Sequence, residues 1–481
     1  TVVEANVTVT SGTVGNIYGG NNIGGNTETT NVDVIACNIT GDIYGGGSKA
    51  DTTETNVKIG ETTVNNVYGG GEEADATNTY VLLNKTKAGL VFGGSNRHGV
   101  VDTTSVVVNG NEIDSVYGGN NQGDSTGNTK VVINSGKIGN VYGGGDNAVA
   151  TTSDVTINAG TITNVYGGGN QASLTTSNVL INNGTITNIY GGGNQAGVNT
   201  TNVNILGGSV ENAFGGSNAS GDVNKTNVVV GEEGSTKDLI KVDISTSPVE
   251  ATWQSSTYAT YADITVTLTN LTDQAISDWQ IKLNMPEDAV FYSNWSNTDF
   301  TIESGVGLVD SKNKYDSNNP NKINANGTYS FTFAVLTNTS VSDFGVTSSV
   351  IKPASEITTS DVTVGNLYGG NNQGGLTSDS NVLINSGVIG NIYGGGNLAA
   401  VDQSKVIIKD GTIEKVFGGG NAAGVNGDTF VDIDKALITN NIYGGGNEGP
   451  VTGNTDVYLT DAEVRGSAYA GGNGQAAIVL G

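Results

Sequence analysis

The stretch TITNVYGGGNQ, from Thr161 to Gln171, returns almost unchanged as TITNIYGGGNQ from Thr185 to Gln195. A fixed period of this length is typical of solenoids, in which every repeat stacks on its neighbours. Aligned on the aromatic residue before the double glycine, the 481-residue chain holds fourteen copies, spaced 24 to 26 residues apart within two blocks. The aromatic positions are Tyr18, Tyr44, Tyr68, Phe92, Tyr117, Tyr142, Tyr166, Tyr190, Phe214, Tyr368, Tyr393, Phe417, Tyr443 and Tyr469.

Each copy contains short runs of β-forming residues separated by turn residues such as NNG and GGGN. In the run DVTIN, Val155 and Ile157 are predicted to face the interior and Thr156 to face outward, because side chains alternate along a strand. The 74 glycines suit a fold that repeats one tight turn in every coil. The sequence therefore predicts an all-β protein, a parallel β-helix of about 14 coils with 24–26 residues each.

Two columns of equivalent residues are predicted to stack along the helix axis. Asparagine follows the aromatic residue by four positions in eleven of the fourteen copies, Asn170 and Asn194 among them. Stacked side-chain amides can hydrogen-bond from coil to coil, so we predict a structural ladder there. The aromatic column, with Tyr166 and Tyr190, either packs as a stacked seam inside the bore or forms an exposed stripe that contacts sugars or neighbouring molecules. The sequence leaves these two alternatives open.

The period breaks between Phe214 and Tyr368, where an insert of about 130 residues carries all three tryptophans of the chain. Its runs of alternating apolar and polar residues, such as ADITVTLTN and TYSFTFAVL, favour an antiparallel β-sandwich. We therefore predict three segments: residues 1–231 and 361–481 form the β-helix, and residues 232–360 form the inserted sandwich with its linkers.

The three tryptophans are predicted to have different roles. Trp279 shares a strand face with Ile281 and Leu283, so it belongs to the core of the sandwich. Trp253 and Trp295 stand among small polar residues, where exposed rings can stack on the apolar face of a pyranose.

The segment from about residue 249 to 350 contains TWQSSTYATYADITVTLTNLTDQAISDWQIKLNMPED and then SNWSN. It resembles family 2 carbohydrate-binding modules, bacterial β-sandwiches that bind cellulose and xylan. The resemblance implies that Trp253 and Trp295 lie on a flat binding face. A third surface tryptophan of the family would fall near residues 319–321, where no aromatic residue stands, and Tyr315 is the nearest substitute. Ser256 occupies the neighbourhood of an arginine found in xylan-binding members, which favours a cellulose-like face.

Composition restricts the partners. The formal net charge is −26 with only two arginines, which disfavours binding to nucleic acid. No apolar run reaches the roughly 18 residues of a membrane-spanning helix. The single cysteine, Cys37, and the single histidine, His98, disfavour disulfides and ordinary zinc sites. We expect a secreted or cell-surface bacterial protein, without membrane insertion in this segment.

An enzyme is the first alternative, because the β-helix loosely resembles polysaccharide lyases and pectin-acting hydrolases. Such enzymes need clustered carboxylates, and an acidic loop series lies beyond the asparagine column on successive coils. These oxygen ligands suit calcium, and the alternative is a solvated acidic edge. The series comprises Asp51, Glu72, Glu73, Asp75, Asp102 and Asp124, of which Glu72, Glu73, Asp75 and Asp102 are the candidate calcium ligands.

The sequence as a whole favours a non-catalytic structural or adhesive protein. A rigid β-helical shaft would display a module that binds cellulose or a related plant cell-wall glycan, and calcium is the one cofactor considered. Neither end of the β-helix shows a recognisable cap in this sequence, so end-to-end self-association and truncation are both open. A purely structural fibre subunit without sugar binding is the second alternative.

Overall fold

The computed structural model describes residues 1–122, 124–232, 236–237, 239–247, 260–272, 274–294, 296–316, 319–338, 344–352, 356–357 and 362–481. Every regular element in these ranges is a β-strand. The chain forms two compact units, Thr1–Glu233 with Thr359–Gly481, and Gly234–Thr358.

The first unit is a parallel β-solenoid, so the predicted β-helix is confirmed. Each coil places one strand directly above the equivalent strand of the previous coil. For example, Val155 pairs with Val179, and Ile157 pairs with Ile181. The strands of this first column are Val2–Val9, Thr27–Ile35, Thr52–Gly60, Ala76–Asn84, Val101–Tyr117, Thr126–Tyr142, Ala150–Ile157, Leu174–Ile181, Val198–Ile205, Val223–Val230, Thr377–Ile384, Val401–Ile408, Thr429–Asp434 and Thr455–Thr460.

The second column holds the strands that lead to the aromatic residues, and on four coils it is split into two short strands. Val101–Tyr117 and Thr126–Tyr142 are long enough to run through both columns. The remaining strands of the second column are Thr13–Val14, Ile17–Tyr18, Asn38–Ile39, Asp42–Tyr44, Thr63–Tyr68, Lys87–Phe92, Thr161–Tyr166, Thr185–Tyr190, Gly208–Phe214, Val362–Tyr368, Val388–Tyr393, Thr412–Phe417, Leu437–Ile438, Ile442–Tyr443, Glu463–Val464 and Ala468–Tyr469.

The interior of the solenoid is built almost entirely from valine and isoleucine. Val155 and Ile157 are buried, as predicted, and stack on Val179 and Ile181 of the next coil. Buried apolar surface contributes roughly 25 cal/mol per Å², so this continuous core is the main stabilising term of the unit. β-branched residues suit it because they pack well on a pleated surface.

The glycine after each aromatic residue lies too close to the next coil for a side chain. A Cβ atom on Gly167 would stand 2.3 Å from the carbonyl oxygen of Gly191. Above that oxygen, the hydroxyl of Ser177 donates a hydrogen bond to it at 2.5 Å. The turn before the aromatic strand needs glycine for another reason, since Gly160 has a φ of +123°.

The second unit is a β-sandwich, as predicted for the insert. Its two antiparallel sheets share one core, to which Trp279, Phe331 and Phe333 contribute the largest side chains. One sheet contains Ile240–Thr246, Thr260–Asn270, Thr328–Thr337 and Val290–Asn294 in that order; the other contains Thr298–Glu303, Val306–Asn313, Gln280–Asn284 and Thr347–Lys352. The short strands Thr236–Lys237 and Glu356–Ile357 pair with each other.

The solenoid continues in register on both sides of the insert. The strand Gly208–Phe214 pairs with Val362–Tyr368, and the rings of Phe214 and Tyr368 stack with their centroids 4.6 Å apart. The insert therefore occupies the connection that follows Val223–Val230 within one coil. Among the described residues, no helix is long and apolar enough to cross a membrane.

Candidate functional site

The carbohydrate face predicted on the sandwich is only partly within the described residues. Trp253 and Trp295 lie outside them. Tyr315 is described, and its side chain is 76% exposed. An Asx-type turn holds this position, because the backbone N–H of Tyr315 donates to Oδ1 of Asn313 at 3.0 Å. The ammonium of Lys314 lies 4.9 Å from the centre of the Tyr315 ring, so this ring carries a cation on one face.

Trp279 shows the opposite environment and belongs to the core, as predicted. Its side chain is completely buried, and its indole N–H donates to the carbonyl of Asn321 at 2.6 Å. The ring packs near Tyr329 and Phe331, with centroid distances of 5.6 and 6.3 Å. A buried indole with its donor satisfied fixes the sandwich and offers no surface to a ligand.

Two further exposed aromatic side chains precede Trp295 in the sequence. Phe291 is 39% exposed and Tyr292 is 48% exposed, on the edge strand Val290–Asn294. They give no signal in the sequence, because alternation would turn only one of two adjacent side chains outward. A register shift between Phe291 and Ser293 breaks that alternation. The Tyr292 ring meets the ring of Tyr261 edge-on, at a centroid distance of 6.2 Å.

The aromatic column of the solenoid is a buried seam, so the alternative of an exposed stripe is wrong, and the seam is separate from the core of the bore. Neighbouring rings are nearly parallel, at interplanar angles of 3 to 11° and centroid distances of 4.5 to 5.3 Å. Tyr166 and Tyr190 are each 5% exposed. The stack packs apart from the valine and isoleucine core, so the coil has two separate apolar layers. Apart from Tyr18 and Tyr469 on the end coils, its rings are covered and cannot serve as a sugar-binding stripe.

The asparagine column lies beside this seam and hydrogen-bonds from coil to coil. The amide of Asn194 donates to Oδ1 of Asn170 at 2.8 Å, and Asn218 donates to Asn194 at 2.9 Å. Asp146 takes the place of asparagine on one coil and accepts from Asn170 at 2.6 Å. In each of these bonds the later coil donates to the earlier one. The column therefore has one direction along the axis.

The asparagine amides also reach the phenol groups of the seam. Nδ2 of Asn96 donates to the hydroxyl oxygen of Tyr44 at 3.1 Å, across two coils. Burial raises the pKa of Tyr68 to about 12, although a hydrogen bond from Asn121 opposes the rise. Burial likewise raises the pKa of Tyr190 to about 12. The seam thus holds its phenols in the neutral form.

The candidate calcium ligands Glu72 and Glu73 both bind neighbouring side chains. Oε2 of Glu72 accepts hydrogen bonds from the hydroxyl of Tyr18 at 2.8 Å and from Ser48 at 3.1 Å. Glu73 lies 3.0 Å from the ammonium of Lys49, which lowers the pKa of the Glu73 carboxyl, with a smaller effect from Arg97. The two carboxylates are therefore engaged in contacts between coils.

The aspartates of the same series accept backbone hydrogen bonds. Oδ1 of Asp51 accepts from the N–H of Asp75 at 3.1 Å, and Oδ1 of Asp75 accepts from that of Val100 at 2.8 Å. Asp51, Asp75 and Asp102 line a shallow recess of about 260 Å³. Over the part of the chain that the structure describes, no three Asp, Glu, His or Cys side chains are grouped as a metal site. The calcium site stays a prediction from the sequence.

Asp124 and the single histidine also lie in this region. Oδ2 of Asp124 accepts from the backbone N–H of Gly99 at 2.8 Å and lies 3.7 Å from Nδ1 of His98. Both side chains are well exposed to solvent. The arrangement is a surface contact between adjacent coils.

No known protein family matches the chain, and no curated protein is similar to it. Among solved structures, an inactive variant of the GH20 exo-β-N-acetylglucosaminidase from Vibrio harveyi shows 16% identity over 26% of this chain, with a TM-score of 0.18. The likeness spans 18% of that chain. It is too small to support an argument about fold or function.

Proposed function

We propose that this protein is a non-catalytic, extracellular shaft whose inserted sandwich holds a plant cell-wall glycan, with cellulose or a related glucan as the ligand. The observation that carries the proposal is the contrast between the aromatic side chains of the sandwich. Trp279 is buried and hydrogen-bonded, whereas Tyr315 and Tyr292 present their rings to solvent.

Packing of the sandwich core does not account for the exposed aromatic rings. Phe331, Phe333 and Trp279 fill that core. A tyrosine or tryptophan at the surface offers a rigid apolar face and loses little conformational entropy when it binds. A pyranose ring has an apolar C–H face of matching size, so a polysaccharide is the ligand class that we favour.

The solenoid supports the role of a spacer. A strand ladder and a ring stack tie neighbouring coils together, and most coils are also joined by amide hydrogen bonds of the asparagine column. Repeated contacts of this kind make the unit resist bending, because no coil can move without breaking several of them together. Such a unit would serve as a rigid spacer.

The test is binding of the purified chain to microcrystalline cellulose. We expect Trp295→Ala to weaken retention at least tenfold, since a central stacking residue dominates binding of this kind. Its melting temperature should stay within a few degrees of the parent. Tyr80→Ala, which truncates an aromatic side chain on the solenoid strand Ala76–Asn84, is the matched control and should leave retention unchanged. Equal retention by Trp295→Ala and the parent would refute the proposed site.

A further inference from the structure

A groove lies on the surface of the solenoid, across three consecutive strands of the first column. These strands are Val223–Val230, Thr377–Ile384 and Val401–Ile408. The groove contains a recess of about 340 Å³, which is within the size range of ligand pockets. Its charged, amide and aromatic lining residues are Lys225, Asp379, Asn381, Gln403, Lys405, Asp428 and Phe430.

The recess exists because the following coil is irregular. The strand Thr429–Asp434 has six residues, and its pairing with Val401–Ile408 begins only at Ser404 and Thr429. Gln403 consequently has no strand partner on that coil, and a turn takes the place of one. Phe430 stands next to this gap and closes one end of the recess.

Phe430 occupies an outward position that most other coils give to asparagine, aspartate, lysine or serine, with Tyr80 as the other aromatic residue. The equivalent outward residues on the two preceding coils are Asn381 and Lys405. Asparagine at this position continues an amide column on earlier coils, where Asn202 donates to Asn178 at 2.8 Å. A partly buried phenylalanine contributes nothing to such a column. Its ring lies 5.4 Å from the tilted ring of Tyr458 on the next coil, and the Lys405 ammonium stands 5.4 Å from the ring centre. The side of the ring that faces Lys405 is the one that a ligand would contact.

The groove has one polar wall and one apolar wall. Asp379 and Gln403 are adjacent on one row, and both are exposed. The neighbouring recess, of about 260 Å³, shares Lys405 with the first and is lined by Val229, Leu383 and Ile407. A ligand that fits must therefore carry hydroxyl groups on one side and C–H groups on another. Pyranose rings have this character.

The charge of the groove selects among glycans. Lys225 and Lys405 balance Asp379 and Asp428, so the groove is neutral within a chain of net charge −26. Neither lysine is in an ion pair with any residue that the structure describes, so both ammonium groups can donate to hydroxyls. The surrounding negative charge disfavours a polyuronate.

We propose that this groove binds a short stretch of a neutral polysaccharide. One pyranose ring packs against Phe430 and displaces the Lys405 ammonium, whose contact with the ring is weak in water. Asp379, Asp428 and Gln403 accept or donate hydrogen bonds to the hydroxyls. Three coils span roughly 10 to 15 Å, which accommodates a short oligosaccharide. This site belongs to the solenoid and does not depend on the sandwich.

The experiment uses the full chain with Trp253→Ala, Trp295→Ala and Tyr315→Ala, so that the predicted sugar contacts of the sandwich are absent. Isothermal titration is performed with cellohexaose, xylohexaose, mannohexaose and hexagalacturonate. We expect at least one neutral hexasaccharide to bind. Adding Phe430→Ala should weaken that binding at least tenfold. Adding Tyr80→Ala, at the same outward position on another coil, should change it less than twofold.

Three results would overturn the proposal: no neutral hexasaccharide binds, hexagalacturonate alone binds, or Phe430→Ala and Tyr80→Ala behave alike. If Phe430→Ala lowers the melting temperature markedly, Gln403→Ala replaces it, because this exposed side chain has no part in the core. The Gln403→Ala variant should then weaken binding at least threefold. Unchanged binding by this variant would equally refute the site. A failed sandwich site has no effect on these outcomes, since its aromatic residues are already removed.

Discussion

At the scale of single residues, a close approach between coils recurs at the glycine that follows the aromatic ring. A methyl group on Gly167 would stand 2.3 Å from the Gly191 carbonyl oxygen and 2.9 Å from Val179. The first of these atoms belongs to the backbone of the next coil and cannot rotate away. The repeated glycine is therefore a requirement of coil spacing, as much as of turn geometry.

We expect Gly167→Ala to destabilise the solenoid by about 1–3 kcal/mol, the usual cost of overpacking a close contact. The measurement is the thermal midpoint followed by far-ultraviolet circular dichroism. Gly15→Ala is the matched control, because a methyl group there meets no atom within 4 Å. Surface changes of that kind usually stay within about 0.5 kcal/mol. Equal midpoints for the two variants would show that the coils can separate to accept the methyl group.

Alternation along the strands predicts the burial of some residues and fails for others. Alternation placed Val155 and Ile157 inside, and both are buried. It could not decide the position of Tyr166, because that residue follows a buried valine and should then face outward. Tyr166 is nevertheless buried among the neighbouring rings of its own column. The aromatic column is buried because equivalent rings of successive coils stack on one another. The sequence of a single repeat does not show this contact between coils.

At the scale of elements, the ring seam makes the solenoid sensitive to high pH. Folding raises the pKa of Tyr68, Tyr190 and Tyr368 from 10.0 to about 12, with burial as the first cause. Between pH 10 and 12 the unfolded chain loses phenol protons that the folded chain keeps. The stabilisation is thus complete below pH 10 and is lost as the pH rises through 12.

We therefore expect cooperative alkaline unfolding between about pH 10 and 12, measured by circular dichroism together with absorbance of the phenolate. Tyr190→Phe should move the midpoint to higher pH, because it removes one such phenol and the seam already accepts Phe214 beside it. Tyr315→Phe, which changes an exposed ring outside the seam, should leave the midpoint unchanged. Gradual loss of structure from pH 8 upward would contradict this account.

Other element-scale contacts follow from the period, although the sequence analysis did not use them. Lys49 and Glu73 are 24 residues apart, which is one coil, and they form an ion pair at 3.0 Å. The same offset could have identified partners for the acidic loop residues. The exposed pair Phe291 and Tyr292 was less accessible, because it depends on a register shift in an edge strand.

At the scale of the whole molecule, the amide columns give the solenoid a direction. Asn194 donates back to Asn170, and Asn421 donates back to Asn397 in the second block. A second copy stacked in the same direction would continue these donor and acceptor sequences, whereas a reversed copy would not. End-to-end association stays a prediction. Any filament seen by electron microscopy should be polar, with an axial repeat of roughly 65 to 70 Å for fourteen coils, and a bipolar filament would contradict it.

The last prediction concerns the insert as a separable unit. The solenoid pairs Val223–Val230 directly with Thr377–Ile384, and Phe214 stacks on Tyr368 as closely as rings within one block do. The strands on either side of the insert thus already have their partners in the solenoid. Replacing residues 232–360 with a short Asn-Gly turn should therefore preserve the solenoid.

We expect the shortened chain to unfold within a few degrees of the solenoid transition of the parent, with the ring seam intact by near-ultraviolet circular dichroism. Its retention on microcrystalline cellulose should fall at least tenfold, while any hexasaccharide affinity of the solenoid groove should remain. An equally long deletion that spans coils, residues 101–229, is the matched control and should lose the seam signal across the joint. If the shortened chain failed to fold, the insert would be needed to close its coil, and the sandwich would be part of the shaft.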